Sequence, residues 1–201
     1  MSSLTPDSET PGEAVVSGHA DRGTDEMHDV VLDHRQACSG FTAVVDAAPG
    51  RWSSPSPCAG WDARGVLEHV IGFHDVLLLR PLGAKPARPK DEPVKRWALT
   101  ADALFAALDR PGALADGRGQ LMGALTTEVL VHTWDLARAI GMEVVLDQRL
   151  CRVGLDRATA NRDKLESSGT FGPPVSVSGV APIADQLLGL FGRDPQWAAP
   201  R

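Results

Sequence analysis

Apolar residues recur at helical spacing along most of this chain. In the fourth predicted helix, Leu125, Val129 and Leu136 form one apolar stripe, and Gly141 follows at a position where helices favour glycine. The predicted helices cover residues 29–48, 62–81, 93–109, 120–140, 147–166 and 182–191. Only the segment 175–177 alternates like a strand, and it is too short to count as one.

This pattern predicts an all-α protein in which four main helices form an antiparallel bundle, with short extra helices at its C-terminal end. Residues 84–93 are polar and rich in proline, and we expect the crossover connection of the bundle there. Residues 1–27 are rich in serine, threonine, glycine, proline and acids. Because such a segment buries too little apolar surface to offset its ordering entropy, we expect a disordered leader at 1–27 and one domain at 28–201.

The charge balance narrows the range of partners. The 201 residues contain 20 lysines and arginines against 26 acids, a net charge of −6, which disfavours binding to nucleic acids and to anionic membrane surfaces. No apolar run approaches the roughly 20 residues of a membrane span, and the three cysteines form no CxxC pair. We expect a cytoplasmic monomer or homodimer that acts on a small-molecule substrate.

Three residues on two helices are candidate metal ligands. Glu128 and His132 are four residues apart in TTEVLVHTWDLARAIG, so their side chains share one face of the fourth helix. That face borders the apolar stripe, where a polar pair needs a partner. His69, in WDARGVLEHVIG, borders the apolar face of the second helix. Two histidines and one carboxylate form a common site for zinc or another divalent metal, with positions open for water or substrate.

Each of these residues also has a simpler interpretation. Glu128 and His132 fit an exposed ion pair, His69 fits a core histidine with satisfied hydrogen bonds, and all three fit a hydrogen-bonded cluster without an ion. Asp135 follows His132 by three residues. Its carboxylate is placed either to orient that imidazole or to pair with Arg138, and we predict the pair with Arg138.

The remaining histidines and cysteines carry weaker signals. We expect structural roles for His34 and Cys38, which are four residues apart on the first helix without a carboxylate. Cys58 precedes a helix start, where the helix dipole lowers thiol pKa values, but helix packing is the role that we predict for it. His74 is five residues after His69, about 140° around the helix, so the two imidazoles do not point the same way.

Three segments together resemble a known family. PSPCAGWDARGVLEHVIG, TEVLVHTWDLARAIG and the closing FGPPVSV with DQLLGLFGRDPQW resemble the DinB-like, mycothiol-dependent maleylpyruvate isomerase metal-binding family, and within it an actinobacterial branch of metal-binding proteins. The resemblance covers residues 30–197. It implies a DinB-like four-helix bundle that carries a divalent metal, zinc most commonly, on His69, Glu128 and His132. Nickel, cobalt and iron also suit such a donor set.

The resemblance also implies a class of reaction. Characterised relatives use the metal to ionise a low-molecular-weight thiol, such as mycothiol, and pass it to an electrophile. We therefore expect a metal-dependent transferase or isomerase-like enzyme that activates a thiol or water, including the alternative of a tailoring enzyme in specialised metabolism. The other hypothesis is a non-catalytic metal- or ligand-binding protein on the same scaffold. The candidate substrate-contacting or supporting residues are Trp61, Trp134, Arg138, Asp135 and His74.

Overall fold

Seven α-helices and one π-helical turn build the part of the chain that the computed structural model describes, residues 20–115 and 117–199. The helices are α1 (Ala20–Asp46), α2 (Ala63–His74), α3 (Pro93–Leu108), α4 (Arg118–Ala139), α5 (Gln148–Ala160), α6 (Arg162–Ser168) and α7 (Ile183–Leu190). The π-helical turn, Asp75–Leu79, directly continues α2. The predicted all-α class is confirmed, and the described residues contain no strand beyond one isolated bridge between Pro55 and Asp62.

The helix boundaries differ from the prediction at two places. Helix α1 begins at Ala20, so residues 20–27 of the predicted leader are helical, while residues 1–19 lie outside the described part. Residues 20–28 contain no proline, and extending a helix already anchored by packing is easier than starting one. The predicted helix 147–166 is divided at Asn161 into α5 and α6.

The predicted antiparallel packing holds for α1 against α3. The indole Nε1 of Trp97 donates a hydrogen bond to Thr42, 2.8 Å away, and Arg35 pairs with Asp109. Because the later residue of α1 contacts the earlier residue of α3, the two helices run in opposite directions. Helices α2 and α4 are also antiparallel, and the candidate site lies between them.

Two other helix pairs run parallel, as the predicted crossover requires. His34 of α1 contacts Thr126 of α4, and Arg51 after α1 donates to the carbonyl of Ile140 after α4. The order of contacts is therefore the same along both helices. Similar contacts show that α2 and α3 run parallel, because Glu68 pairs with Arg96 and the carbonyl of Leu82 accepts from Arg110.

The segment between α2 and α3 makes the parallel arrangement possible. Arg88 pairs with Asp75, and the carbonyl of Lys90 accepts a hydrogen bond from Arg64 near the start of α2. The chain thus runs back along α2 before α3 begins. The crossover predicted at 84–93 is confirmed, and it returns the chain to the end of the bundle from which α2 started.

Helix α4 lies at the centre of the fold. Helices α1, α2 and α5 all pack against it, and its buried residues occupy every face between Met122 and Ala139. The buried threonines Thr126, Thr127 and Thr133 donate to carbonyls four residues earlier in the helix. Two titratable groups of α4 in this region, His132 and Asp135, are buried away from bulk water, so they need partners inside the protein.

A close backbone approach anchors the end of α7. Gly192 has a φ of +76°, and a Cβ atom there would lie 2.8 Å from the carbonyl oxygen of Gly172. Gly50 has the same φ of +76°, but a Cβ atom there would meet nothing within 4 Å. The two glycines therefore share one backbone conformation and differ in their steric surroundings.

We expect Gly50→Ala to lower the free energy of unfolding by about 1 kcal/mol, the cost of a left-handed alanine. Gly192→Ala should cost about 2 kcal/mol or more, because its Cβ also collides with the backbone. Urea unfolding followed by circular dichroism measures both values. Equal losses in the two variants would contradict the close approach at Gly192.

Candidate metal centre

Three donor groups converge between α2 and α4. The N-cap Asp62, whose side chain accepts from the backbone N–H of Gly65, starts α2 so that His69 faces α4. The imidazoles of His69 and His132 have ring centroids 4.8 Å apart. One ligand atom from each of His69, Glu128 and His132 lies within 4.8 Å of the others. The structure therefore brings together the three residues that spacing and resemblance indicated.

Two atoms of this group are buried without a hydrogen-bond partner. They are Nε2 of His132 and Oε2 of Glu128, which lie 3.5 Å apart. The other ring nitrogen, Nδ1, is 2.9 Å from Asp135 Oδ2. Nδ1 therefore carries a proton and donates a hydrogen bond to the carboxylate. In the neutral imidazole, Nε2 then presents a lone pair to a second carboxylate. These two acceptors need either a proton or a metal ion between them.

The pKa of His132 also indicates that positive charge is favourable at this position. Burial alone would lower its pKa, but the contacts with Asp135, Cys58 and Glu128 outweigh burial and raise the pKa of His132 well above its ordinary value. In contrast, burial and the neighbouring His132 lower the pKa of His69. A neutral imidazole is the form that binds a metal, so a divalent cation at this point meets the charge requirement and suits both histidines.

Asp135 supports His132 from behind. Its carboxylate is fully buried and accepts from His132 Nδ1 and from Nε and Nη2 of Arg193, at 3.1 and 2.8 Å. Burial would raise the pKa of Asp135, but these hydrogen bonds lower it below its ordinary value. The predicted pair between Asp135 and Arg138 is wrong. Arg138 lies nearer the surface and pairs with the exposed Glu143 instead.

Arg193 is the site residue that the sequence reasoning missed. It follows α7, is 8% exposed, and also donates to the carbonyl of Phe191 and to the sulfur of Cys58, 2.8 and 2.9 Å away. The closing segment DQLLGLFGRDPQW contains this arginine. That segment was part of the resemblance, but nothing local in it indicates a contact with a residue 58 positions earlier.

Cys58 completes the surroundings of Asp135. Its sulfur lies 3.1 Å from Asp135 Oδ2, and burial raises the pKa of the Cys58 thiol. The thiol therefore keeps its proton and donates a hydrogen bond to the carboxylate. The alternative in which a helix dipole lowers this pKa is not supported, and the role in packing that we predicted includes a polar contact to the site.

Among the candidate substrate contacts Trp61, Trp134 and Arg138, Trp61 lies beside the histidines. The ring of Trp61 is 4.8 Å from that of His69 and 38% of the residue is exposed, so it covers the outer side of the cluster. The guanidinium of Arg138 stacks on Trp134, 5.5 Å from the ring centroid, and donates to the carbonyl of Pro195. Trp134 is two residues from His132, which places it on another side of α4.

His74 belongs to a separate cluster in the core, so its predicted place beside the site is wrong. Its Nδ1 donates to the carbonyl of Val70, and its Nε2 lies 3.0 Å from Nε2 of His34. His34 also contacts Thr126, and Cys38 lies close by. All four ring nitrogens in this cluster have hydrogen-bond partners, so it differs from the group at His132. The structural roles predicted for His34 and Cys38 agree with this arrangement.

A large cleft opens on the other side of Glu128. It has a volume of about 880 Å³ and lies between the first half of α4, the helices α5 and α6, and the segment that follows α6. Glu128 is the member of the three-residue group that lines it. One side of this carboxylate therefore faces His132 and the other faces a cavity large enough for a small molecule.

Comparison with known proteins places the chain in a family. Residues 34–137, more than half of the 201, match the family described as the mycothiol maleylpyruvate isomerase N-terminal domain. The chain belongs to this family. The matched range of this mycothiol maleylpyruvate isomerase N-terminal domain includes His69, Glu128, His132 and Asp135, whereas Arg193 lies outside it.

Relatives of the chain include two proteins from two strains of Mycobacterium tuberculosis. They are "Uncharacterized protein Rv0738" of strain H37Rv and "Uncharacterized protein MT0763" of strain CDC 1551 / Oshkosh. Each is 30% identical to the chain, over 82% of this chain and 98% of the relative. No solved structure matches the chain. Among the described residues, no helix is long and apolar enough to cross a membrane.

We expect Asp135→Asn to lower the free energy of unfolding by about 3 kcal/mol, because it leaves the buried Arg193 without its charged partner. Glu143→Gln removes the exposed partner of Arg138 and should cost less than about 0.5 kcal/mol. Urea unfolding with a chelator present measures both without a contribution from bound metal. A similar small loss in both variants would show that the Asp135 pair is not needed for stability.

Because His74 is buried in the core, we expect the protein to lose stability in mild acid. Burial lowers the pKa of His74 to about 4, whereas the pKa of a histidine in the unfolded chain is about 6.5. The unfolded state therefore takes up a proton first as the pH falls, and stability decreases between about pH 6.5 and 4. From pH 7 to 5 this single histidine accounts for about 2 kcal/mol.

The matching variant is His74→Gln, which keeps polar atoms in the core without this titration. We expect its free energy of unfolding to decrease from pH 7 to pH 5 by about 2 kcal/mol less than that of the wild type. Urea unfolding at the two pH values provides the measurement. Identical decreases in the two proteins would disprove the role of His74.

Proposed function

We propose that this chain is a metal-dependent enzyme that holds one divalent cation, zinc in the first place, on His69, Glu128 and His132. The observation that carries the proposal is the pair of buried, unpartnered acceptors, His132 Nε2 and Glu128 Oε2, 3.5 Å apart. Two imidazoles and one carboxylate are a donor set that zinc prefers, and nickel, cobalt or iron also accept it. Membership of a mycothiol-related family supports the same interpretation.

The supporting residues prepare His132 for this task. Asp135 accepts the Nδ1 proton, so Nε2 keeps its lone pair and the ring keeps its orientation. Arg193 balances the charge of Asp135 and holds that carboxylate in place. Trp61 covers His69 on the outside, which limits the access of water from that direction.

The reaction that we propose is the attack of an activated thiol or water on a small-molecule electrophile. A cation at this position lowers the pKa of a bound thiol or water and so supplies an anionic nucleophile at neutral pH. Mycothiol is the proposed thiol because the family description names it. The cleft of about 880 Å³ beside Glu128 supports an enzyme over a protein that only holds a metal, because metal binding alone needs no cavity of substrate size.

Metal analysis of the purified protein tests the ligands. We expect about one equivalent of a divalent metal in the wild type, and loss of that metal in His69→Ala, Glu128→Gln and His132→Ala, because each removes a donor. Asp135→Asn should bind metal roughly 10–100-fold more weakly, as expected for a group that orients a ligand. Affinity should also fall at low pH, because protons compete with the metal for both imidazoles.

The matched control is His74→Gln, which changes the separate core cluster and should keep its metal. Mycothiol consumption with maleylpyruvate and a panel of other electrophiles then tests the reaction, in metal-loaded and chelator-treated protein. Wild-type protein that takes up no zinc at neutral pH would refute the metal site. Metal binding without any metal-dependent thiol adduct or hydrolysis would favour the non-catalytic binding protein.

A further inference from the structure

The cleft between α4 and α5 has an unequal distribution of charge. Glu128 is the one acidic residue among the described residues that line it. Its Oε2 atom lies 3.5 Å from Nε2 of His132. Arg157 and Lys164 also line the cleft. Neither of these cations forms an ion pair with a carboxylate in the part of the chain that the structure describes, whereas most other arginines there do.

Arg157 is held in place by the backbone of α4. One of its terminal nitrogens donates to the carbonyl of Gly123, and a Cβ atom at Gly123 would lie 2.4 Å from the guanidinium. The missing side chain of Gly123 therefore forms the notch in which the guanidinium sits. A guanidinium has five N–H donors, so an oriented cation with unused donors faces the cleft.

Other features of this end of the cleft also favour an anion. Gly119 and Gln120 line the same cavity, and they belong to the first turn of the 22-residue helix α4, where the helix dipole attracts negative charge. The lining also includes the large apolar side chains of Leu165, Phe171 and Phe191. The cavity thus combines a cationic end with an apolar body.

The spacing along α4 gives the size of a fitting ligand. Gly123, which seats Arg157, and Glu128 are five residues apart on one helix, about 7.5 Å along its axis. A molecule with an anionic group at Arg157 and its other end at Glu128 spans roughly this distance. Its middle part lies against the apolar wall.

We propose that this cleft binds an amphipathic small-molecule anion, with its carboxylate, sulfonate or phosphate at Arg157 and its apolar body against Phe171 and Phe191. The inference rests on the proposed function in one respect, because it makes this anion the substrate that approaches Glu128. The binding itself depends only on the cleft.

Two fluorescent probes that differ by one sulfonate group test the proposal on the full chain. Anilinonaphthalene sulfonate carries an anionic group, and phenylnaphthylamine is the same aromatic system without it. We expect the wild type to bind the sulfonate at least tenfold more tightly than the neutral probe. Arg157→Gln should remove this preference, and Arg157→Lys should restore most of it, because the charge returns.

The control is Arg152→Gln, which removes an exposed cation from the same helix α5 but outside the cleft, and should leave both affinities unchanged. Melting temperatures show that each variant is folded. Equal binding of the two probes by the wild type, or a sulfonate preference that survives in Arg157→Gln, would overturn the proposal.

The outcome is independent of the metal site. His69→Ala removes a proposed metal ligand that does not line the cleft, so its preference for the sulfonate should match that of the wild type. Loss of the preference in this variant would contradict a binding site made by the cleft alone. If wild-type protein takes up no metal but shows the Arg157-dependent preference, the proposed function fails and this inference stands.

Discussion

The carboxylate of Asp135 is the group on which the site and the end of the chain both depend. A fully buried carboxylate is stable only when hydrogen-bond donors and opposite charge surround it. One donor, His132, lies in the same helix, and two come from distant parts of the sequence, Cys58 before α2 and Arg193 after α7. The interaction that orients the imidazole therefore also fastens the final segment to the centre of the bundle.

On the opposite side of His132, the ring nitrogen Nε2 is left without a hydrogen-bond partner. The Nδ1 proton is committed to Asp135, and Nε2 faces Glu128 across 3.5 Å without a hydrogen bond. The two acceptors are stable together only with a cation between them, either a proton or a metal ion. His69 from α2 adds a third donor at the same point, which a proton does not require and a divalent metal does.

The central position of α4 joins this centre to the cleft. Small residues at Gly123 and Gly154 let α5 approach α4 closely, since a Cβ atom at either would contact Arg157 or Thr127 at under 3.0 Å. The approach seats the guanidinium of Arg157 at the cleft. Glu128 then separates two environments, with histidines on one side and a cavity with a cationic end on the other.

Local patterns in the sequence determined the helices, the crossover and the shared face of Glu128 and His132, because these depend on residues close in the chain. His69 was predicted from its own helix together with the family resemblance. Only the tertiary structure decided the partner of Asp135. Arg138 is its neighbour along α4, yet Arg193 reaches the buried carboxylate. Which cation arrives there depends on how distant segments pack, and so does the cleft. No local spacing encodes these relations.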